Sequence, residues 1–321
     1  MRRPWMLPLV PLYAAGVALR WAGLKPRRLQ WPVVSIGNLS AGGTGKTPFT
    51  IALAQLLTRE GFAVDVLSRG YGRQSSTVER VDPVGSAERY GDEPLLIAHE
   101  ARVPVFVGAR RLEAGRLAEA AAVGPQGHPV HLLDDGFQHR TLHRDVDIVL
   151  VNSEDLEDAL LPAGNLREGF GALRRAVVFA VSADDDGAVE QLRAMGLPQP
   201  VWRFRREMVV PTLDGPVVAF CGIARPEQFF AGLEAAGVTI AARKAFPDHH
   251  RFSEGDIALL QKLSQDSRAE AFVTTAKDRV RLGQLASGLE QSAPLTTIGL
   301  RVVLEDEAGV SALMRRALGT A

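Results

Sequence analysis

The chain has 321 residues, of which 46% are hydrophobic and 23% charged, and its 37 basic side chains balance 37 acidic ones. This composition excludes a disordered chain, and it argues against nucleic acid as a partner because there is no excess of basic residues to hold a polyanion. The length suits one large domain or two modest ones. The only cysteine, Cys221, lies in the apolar run PVVAFCGIA. It cannot form an internal disulfide, and we interpret it as a buried thiol in a protein of a reducing compartment.

The amino-terminal segment combines an uncharged stretch with basic flanks. No side chain between Trp5 and Leu19 is charged, and the first acidic residue is Glu60. The basic residues on either side of the stretch are Arg2, Arg3, Arg20, Lys25, Arg27 and Arg28. Because the stretch is shorter than the ~20 residues that span a bilayer, we predict a helix that lies in a membrane interface, with its apolar face in the lipid and its arginines at anionic headgroups. A secretory signal and a helix packed on the protein's own core are the alternatives.

Short β-rich segments alternate with helical stretches from Pro32 onward. The first series contains PVVSI, FAVDVLS, VPVFVG, HPVHLLDD, VDIVLVN and RAVVFAVSA, and the helical stretch TPFTIALAQLLTREG follows the first of them. Such alternation is typical of a parallel sheet covered by helices on both faces. A second series begins near Pro216 and predicts a smaller α/β unit.

Two alternating segments, VWRFRREMVVP and LTTIGLRVVLE, bracket the second series and are predicted to pair as a two-strand hinge. The last helix then returns to the first domain. We therefore predict an α/β fold in which a P-loop kinase-like parallel-sheet domain is joined by this hinge to a second, smaller α/β domain. The first domain comprises residues 1–205 with the C-terminal helix at 305–321, and the second comprises residues 206–304.

The sequence SAGGTGKT, between an apolar run and a helical stretch, has the pattern of a phosphate-binding loop. Its glycines let backbone N–H groups converge on phosphate oxygens, and the following helix contributes its positive amino-terminal end. Lys46 is predicted to reach the β- and γ-phosphates of a nucleotide, and Thr47 to offer its hydroxyl to Mg²⁺. Ser40 takes the place of the usual first glycine. The residues assigned to the nucleotide are Ser40, Ala41, Gly42, Gly43, Thr44, Gly45, Lys46 and Thr47.

A phosphate-binding loop also needs an acidic group at the end of a neighbouring strand, and Asp134 and Asp135 in VHLLDDGFQH meet this requirement. One of the two is predicted to hold Mg²⁺ directly or through water, and a plain strand-ending turn is the alternative. Four nearby histidines suggest a transition-metal cluster less strongly, because no cysteine or glutamate accompanies them at zinc-like spacing. They are His128, His131, His139 and His143.

Two further polar segments lie where ligands are commonly bound. SRGYGR places Arg69 and Arg73 on a flexible loop at the carboxyl end of a strand, where doubly wound sheets bind ligands and where arginines suit a phosphate. YGDEPLL places Asp92 and Glu93 at the start of a helix, and an N-cap role is the alternative for Asp92.

The second series contributes one polar segment, FPDHHRF, which sets Asp248 beside His249 and His250. An adjacent aspartate can orient an imidazole for proton transfer. We therefore treat Asp248 and His249 as candidate catalytic residues.

Six motifs, in order along nearly the whole chain, resemble the lipid A 4′-kinase family (tetraacyldisaccharide 4′-kinase): GNLSAGGTGKTP, SRGYGR, GDEP, LLDDGFQH, LLPAGNLRE and FPDHH. The resemblance implies a P-loop kinase that uses ATP and Mg²⁺ and transfers the γ-phosphate to the 4′-hydroxyl of a tetraacylated glucosamine disaccharide 1-phosphate. It also implies a peripheral, monotopic protein at the cytoplasmic face of the inner membrane of a Gram-negative bacterium. We expect a monomer.

The resemblance further implies roles for particular residues. Asp92 and His249, with Asp248 beside the histidine, correspond to a base and its partner across the domain cleft, and Lys46 completes the catalytic set. The residues assigned to the lipid substrate are Arg69, Glu93, Gln138, His139 and Arg167.

A P-loop switch protein, either a GTPase or a metallochaperone that hydrolyses nucleotide to change a partner, is the alternative class. TTAKDRV, from Thr274 to Val280, is faintly similar to the guanine-reading Lys-x-Asp element but lacks its asparagine and spacing. A nucleotide-gated membrane adaptor without chemistry is a third interpretation, and it requires that Asp92 and His249 be dispensable.

Overall fold

The computed structural model describes residues 3–42, 45–122 and 127–320. The strands in these ranges are β1 (Val33–Asn38), β2 (Phe62–Ser68), β3 (Glu79–Arg80), β4 (Val105–Val107), β5 (His128–Asp134), β6 (Val146–Val151), β7 (Val178–Ser182), β8 (Val201–Val209), β9 (Val217–Cys221), β10 (Ile240–Ala245), β11 (Ala271–Thr275) and β12 (Leu295–Leu304). The α-helices are α1 (Val10–Trp21), α2 (Lys46–Arg59), α3 (Ala87–Tyr90), α4 (Asp92–Ala101), α5 (Arg111–Ala121), α6 (Ser153–Leu156), α7 (Asp186–Ala194), α8 (Pro226–Ala235), α9 (Glu254–Ser267), α10 (Ala276–Leu282), α11 (Ala286–Glu290) and α12 (Glu307–Ala317). Short 3₁₀ helices occupy Pro4–Leu9, Phe170–Arg175 and Gly283–Leu285.

These strands form one sheet, in the order β10-β9-β11-β12-β8-β7-β6-β1-β5-β2-β4-β3. Among them, neighbours run parallel except for β8 with β12 and β3 with β4. β1 lies between β5 and β6, and all of its residues are buried. Strands covered on both faces are continuous apolar runs, which explains why VDIVLVN shows no polar alternation. The predicted α/β fold with a large, mostly parallel sheet is confirmed.

The two segments that bracket the second series form β8 and β12. They pair antiparallel, from Phe204 with Leu304 to Val209 with Gly299, so the predicted pairing is confirmed. β8 is parallel to β7 and β12 is parallel to β11, so the strand direction reverses at this pair. The division into domains of residues 1–205 with 305–321 and residues 206–304, and the hinge between them, stay predictions.

Hydrophobic cores cover both faces of the sheet. On one face of the first series, Phe49 and Leu53 of α2 pack in the same core as Met314 of α12. In the second series, the side chains of β9 alternate between two cores: Phe220 lies in one, and Cys221 lies in the other. The Cys221 thiol is free and fully buried, which confirms the prediction of a buried thiol, and burial raises the pKa of this thiol to about 12.

The amino-terminal segment, defined here as the 3₁₀ helix at Pro4–Leu9 together with α1, contributes no buried side chain to the cores. Trp5, Leu12 and Leu19 are each more than 70% exposed. This exposure does not fit a helix packed on the protein's own core. Within the described ranges, none of the helices combines the length and apolar character needed to cross a bilayer.

Candidate active site

The glycine-rich loop lies where β1 ends and α2 begins. Gly45, the N-cap of α2, has a φ of 85°, a conformation that residues with a Cβ rarely adopt. A Cβ added at this position would lie 3.7 Å from the Cδ atom of Arg206, so β8 passes directly over the loop. Two residues of the predicted nucleotide loop, Gly43 and Thr44, lie outside the described residues.

Lys46 projects into the loop. Its Nζ atom lies 3.1 Å from Asn38 Oδ1, 3.3 Å from the Gly42 carbonyl oxygen and 3.6 Å from Asp135 Oδ1. This arrangement holds the ammonium group among acceptors that a nucleotide phosphate can replace. Ser40, at the position of the usual first glycine, is buried, and its hydroxyl donates to Asp155 Oδ2 at 3.0 Å. The substitution of serine for glycine therefore adds a hydrogen bond that fixes the loop.

The two aspartates that end β5 have different environments. Asp134 is buried and accepts hydrogen bonds from Thr50 Oγ1 (3.2 Å) and Ser68 Oγ (3.4 Å). Burial, with the nearby charges of Glu93 and Asp135, raises the pKa of Asp134 to about 7. Burial also raises the pKa of Asp135, but the charges of Lys46 and Arg167 outweigh this effect and lower it. Asp135 adopts a φ of 48°.

A divalent cation fits these residues. Asp134 is a buried carboxylate that meets hydroxyl donors but no cationic side chain within ion-pair distance in the described structure, and a bound cation would favour its ionised form. Thr47 is buried at the start of α2, the helix that also contributes Thr50. Among the residues that the structure describes, no three His, Cys, Asp or Glu side chains form a metal-binding group. A P-loop metal does not require one, because nucleotide phosphates and water supply the remaining ligands.

Arg167 and Gln138 brace the nucleotide loop. Arg167 donates from Nε to the Ser40 carbonyl oxygen (3.0 Å) and from Nη1 to Asp135 Oδ2 and Gln138 Oε1 (3.0 Å each). Gln138 Nε2 donates to the Asn38 carbonyl oxygen at 2.7 Å. Their assignment to the lipid substrate stays a prediction. Arg167 contacts the nucleotide loop at Ser40, and Gln138 contacts Asn38 at the end of β1. Sequence analysis missed Asn38, since an asparagine at a strand end carries no distinctive pattern.

A cationic cluster, formed by Arg69, Arg111 and His139, follows the carboxyl ends of β2, β4 and β5. Arg69 is exposed, whereas Arg111 is only 6% exposed and its Nε atom has no hydrogen-bond partner within the described ranges. Burial and the charge of Arg69 lower the pKa of Arg111 to about 10. Burial and the charge of Arg111 lower the pKa of His139 to about 3, so His139 is neutral at physiological pH. Arg111 was not predicted, because it begins an ordinary amphipathic helix.

Asp92 contacts the second unit. It is the first residue of α4 and is 7% exposed, and its Oδ2 atom lies 3.2 Å from His249 Nδ1. The N-cap of α4 is Gly91, so the N-cap alternative for Asp92 is wrong. The predicted pairing of Asp92 with His249 is present. Asp248 accepts a hydrogen bond from the His249 backbone N–H, but its carboxylate lies 4.0 Å from the imidazole Nε2, so Asp92 rather than Asp248 orients the ring.

Sequence analysis missed two further cross-unit pairs. Arg281 Nε donates to Asp92 Oδ2 at 2.9 Å, and Lys277 Nζ lies 3.0 Å from Glu93 Oε1. Burial raises the pKa of Asp92, but the hydrogen bond from His249 and the charge of Arg281 outweigh burial and hold this pKa far below its usual range. The hydrogen bond to Asp92 raises the pKa of His249, although burial opposes it.

The remaining sequence candidates have structural partners. Asp278 of TTAKDRV is fully buried and accepts hydrogen bonds from the Gly222 backbone and from Thr275 Oγ1. It is therefore not available to read a guanine base. His250 bonds to Asp256 at 3.1 Å and stacks on an aromatic ring.

Two of the histidines considered for a metal also have carboxylate partners: His131 contacts Asp65 at 2.7 Å, and His143 contacts Asp145 at 3.3 Å.

A glycine-rich loop between the first strand and helix of a parallel sheet, with a lysine in the loop and carboxylates on the adjacent strand, defines a P-loop phosphotransferase. The family model for Tetraacyldisaccharide-1-P 4'-kinase matches residues 2–319, and the chain belongs to this family. The family resemblance found in the six motifs is therefore confirmed.

Relatives named tetraacyldisaccharide 4′-kinase include that of Koribacter versatilis, which is 46% identical over 316 residues (94% of this chain and 95% of the relative). The Rhodospirillum rubrum relative is 36% identical over 318 residues (96% and 92%). Among solved structures, LpxK from Aquifex aeolicus in complex with ATP matches with a TM-score of 0.77 at 32% identity, over 98% of this chain and 99% of that one. These comparisons do not support the GTPase or metallochaperone alternative.

Proposed function

We propose that the chain is an ATP-dependent kinase that transfers the γ-phosphate of ATP to the 4′-hydroxyl of tetraacyldisaccharide 1-phosphate, a step of lipid A biosynthesis. The observation that carries the proposal is the buried Asp92 carboxylate at the start of α4, a helix that packs against α2, which follows the glycine-rich loop. Its neighbour Glu93 is near enough to Asp134 for its charge to raise the pKa of that residue.

The nucleotide is bound by the backbone of the loop and by Lys46, whose ammonium group donates to the phosphates. Thr47 and the carboxylates of Asp134 and Asp135 would hold Mg²⁺, which when bound neutralises charge on the β- and γ-phosphate oxygens. The raised pKa of Asp134 and the lowered pKa of Asp135 support a division of labour: Asp135 orients Lys46 and Arg167, and Asp134 is the side chain that a cation would ionise.

Asp92 accepts the proton in the transfer step. A sugar hydroxyl is a weak nucleophile at neutral pH, so a carboxylate must take its proton as the phosphoryl group arrives. The oxygen of the 4′-hydroxyl forms a bond to the γ-phosphorus, the bond from that phosphorus to the oxygen bridging to the β-phosphate breaks, and the electron pair leaves with ADP. The hydroxyl proton moves to Asp92, and His249 holds the carboxylate in place.

The cationic cluster supports a binding site for the phosphorylated disaccharide. Arg69 and Arg111 offer guanidinium groups to an anionic substrate, and neutral His139 offers a hydrogen bond. Glu93, held by Lys277, is positioned to accept hydrogen bonds from sugar hydroxyls. Gln138 and Arg167 act indirectly, because their hydrogen bonds to Asn38, Ser40 and Asp135 hold the residues around the nucleotide in place.

We propose that the enzyme is a monomer and that its amino-terminal segment binds it, as a peripheral protein, to the cytoplasmic face of the inner membrane. Its exposed apolar side chains suit the acyl region, and arginines beside them suit anionic headgroups. Tyr13 of α1 donates to the Arg167 carbonyl oxygen at 3.1 Å, which links the segment to the active site. We propose further that the β8–β12 pair is the hinge between the domain of residues 1–205 with 305–321 and the domain of residues 206–304.

A transfer assay tests the function. Labelled γ-phosphate is followed from ATP to purified tetraacyldisaccharide 1-phosphate in lipid-detergent micelles, with GTP as the comparison nucleotide. We expect transfer from ATP, and we expect Lys46→Ala to reduce it at least ~100-fold because a transition-state donor is lost. Lys262→Ala, on the exposed side of α9, is the matched control. No transfer by the intact protein, or full transfer by Lys46→Ala, contradicts the proposal.

A further inference from the structure

We propose that Arg281 is a positioning residue for phosphoryl transfer: it holds Asp92 Oδ2 from the second unit and leaves Asp92 Oδ1 open to the sugar hydroxyl. The inference rests on the proposed role of Asp92 as the proton acceptor. It adds to the Asp92–His249 pair a residue that no sequence motif indicated.

The two oxygens of Asp92 have different partners. Oδ2 accepts from Arg281 Nε at 2.9 Å, from Arg281 Nη2, and from His249 Nδ1 at 3.2 Å. Oδ1 accepts from the Glu93 backbone N–H at 3.0 Å, and the described residues give it no side-chain donor. The single hydrogen bond from the Glu93 backbone amide leaves a lone pair of Oδ1 free. Oδ1 is therefore the oxygen that can accept a hydrogen bond from a substrate hydroxyl.

Arg281 is itself held in place. Its Nη1 atom donates to the Gly222 carbonyl oxygen at 2.6 Å and lies 3.0 Å from Asp278 Oδ1. Asp278 is fully buried and is bonded to Thr275 and to the Gly222 backbone N–H. The guanidinium therefore has one side fixed inside the second unit and the other presented to Asp92, as its planar fork allows.

Arg281 is better suited than His249 to hold Asp92. The Arg281 side chain is 6% exposed and gives Asp92 two donors, whereas that of His249 is 46% exposed and gives one. Arginine also keeps its charge at every physiological pH, and histidine does not. Loss of His249 would remove one hydrogen bond from Asp92, whereas loss of Arg281 would leave a buried carboxylate without its closest permanent counter-charge.

Loss of Arg281 should therefore change how Asp92 titrates. The charged groups that face Asp92 from α4, α10 and the loop after β10 are Glu93, Lys277, Asp278, Arg281, Asp248 and His249. Because burial is the largest influence on Asp92 and raises its pKa, removal of the guanidinium lets this pKa rise. Asp92 can act as a base only when it is deprotonated. If its pKa rises, the acid limb of the activity profile therefore moves to higher pH.

The test is the pH profile of kcat for Arg281→Met. We expect kcat to fall at least ~10-fold at neutral pH, the KM for ATP to change little, and the acid limb to move up by about 1–3 pH units, the effect of one close opposite charge. Arg281→Lys keeps the charge, so its acid limb should stay near that of the unaltered enzyme. Arg279→Met, on the same helix, removes a charge that pairs with Glu290 rather than with Asp92, and it should not move the limb.

The outcomes separate this inference from the proposed function. A fall in kcat without movement of the acid limb makes Arg281 only a structural contact and overturns the inference. If Arg281→Met does not give a cooperative melting transition, Arg281→Gln replaces it, and an unmoved limb in that variant has the same meaning. If instead Asp92→Ala keeps full transfer activity, the proposed role of Asp92 fails before Arg281 is considered.

Discussion

At the scale of single residues, two identical side chains of the site lie in opposite electrostatic environments. Asp134 and Asp135 are adjacent, yet burial raises the pKa of one and cationic neighbours lower that of the other. The sequence could predict that both lie at the end of a strand. It could not predict which is buried, because the answer depends on Thr50, Ser68 and Arg167, which are far away along the chain.

The pKa of His249 reports directly on the hydrogen bond between His249 and Asp92. Its pKa is raised by the hydrogen bond to Asp92, so the protonated ring is favoured in the folded protein. The contact therefore stabilises the fold below the pKa of an unfolded histidine, and this stabilisation is lost as the pH rises through the higher folded value.

We expect NMR titration of the His249 ring to give a pKa above the ordinary value, and Asp92→Asn to lower it because the hydrogen-bonded carboxylate is lost. His250 bonds to Asp256 instead, so its ring signals at one fixed pH should be the same in the variant and the unaltered protein, which makes it the internal control. An identical His249 titration in both proteins would mean that the ring and the carboxylate do not interact in solution.

At the scale of elements, local pattern predicted most helices and strands, and the exceptions depended on long-range contacts. The alternation of apolar and polar residues in VWRFRREMVVP and LTTIGLRVVLE predicted two strands that are each buried on one face. These two strands pair antiparallel, as β8 and β12. α10 was read only for a faint nucleotide motif. Its role is set by Arg281 and Lys277, which contact the start of α4 nearly two hundred residues earlier in the chain, a distance over which spacing carries no signal.

The amino-terminal segment leads to a prediction about membrane binding. Replacing the exposed Trp5, Leu12 and Leu19 with Ser, Gln and Gln should reduce binding to anionic vesicles at least ~10-fold, because each buried apolar side chain contributes roughly 1.5–3 kcal/mol. Vesicle flotation measures this, and ATP binding should persist because the loop is untouched. The control exchanges two exposed residues elsewhere, Val84 and Leu259, for Gln. Equal flotation of the triple variant and the unaltered protein would contradict an interfacial role.

At the scale of the whole molecule, the residues proposed for the reaction come from two units. The order of motifs along the chain predicted the nucleotide loop, the carboxylates and the histidine, since each follows a strand at its carboxyl end. Only the family resemblance implied that the loop after β10 comes to α4. The residue pattern alone does not show that one continuous sheet, with its direction reversed at β8 and β12, brings the two together. The site therefore depends on how the units are placed relative to each other.

The contact between Asp92 and His249 predicts that these two residues act together in the reaction. Asp92→Ala and His249→Ala should each lower kcat strongly with little change in ATP affinity, because neither residue contacts the nucleotide loop in the described structure. Once Asp92 is lost, His249 has no carboxylate to hold, so its additional removal should cost little. The double variant should then lose much less than the product of the two single effects.

The matched control is Asp92→Ala combined with His250→Ala, since His250 neighbours His249 in the chain but bonds to Asp256. Those two effects should multiply, because His250 has no hydrogen bond to Asp92 in the described structure. Radiolabelled transfer at saturating ATP and lipid gives kcat for all variants in one series. Strictly multiplicative losses for Asp92 with His249 would show that the two residues work independently, and the contact across the units would then have no catalytic meaning.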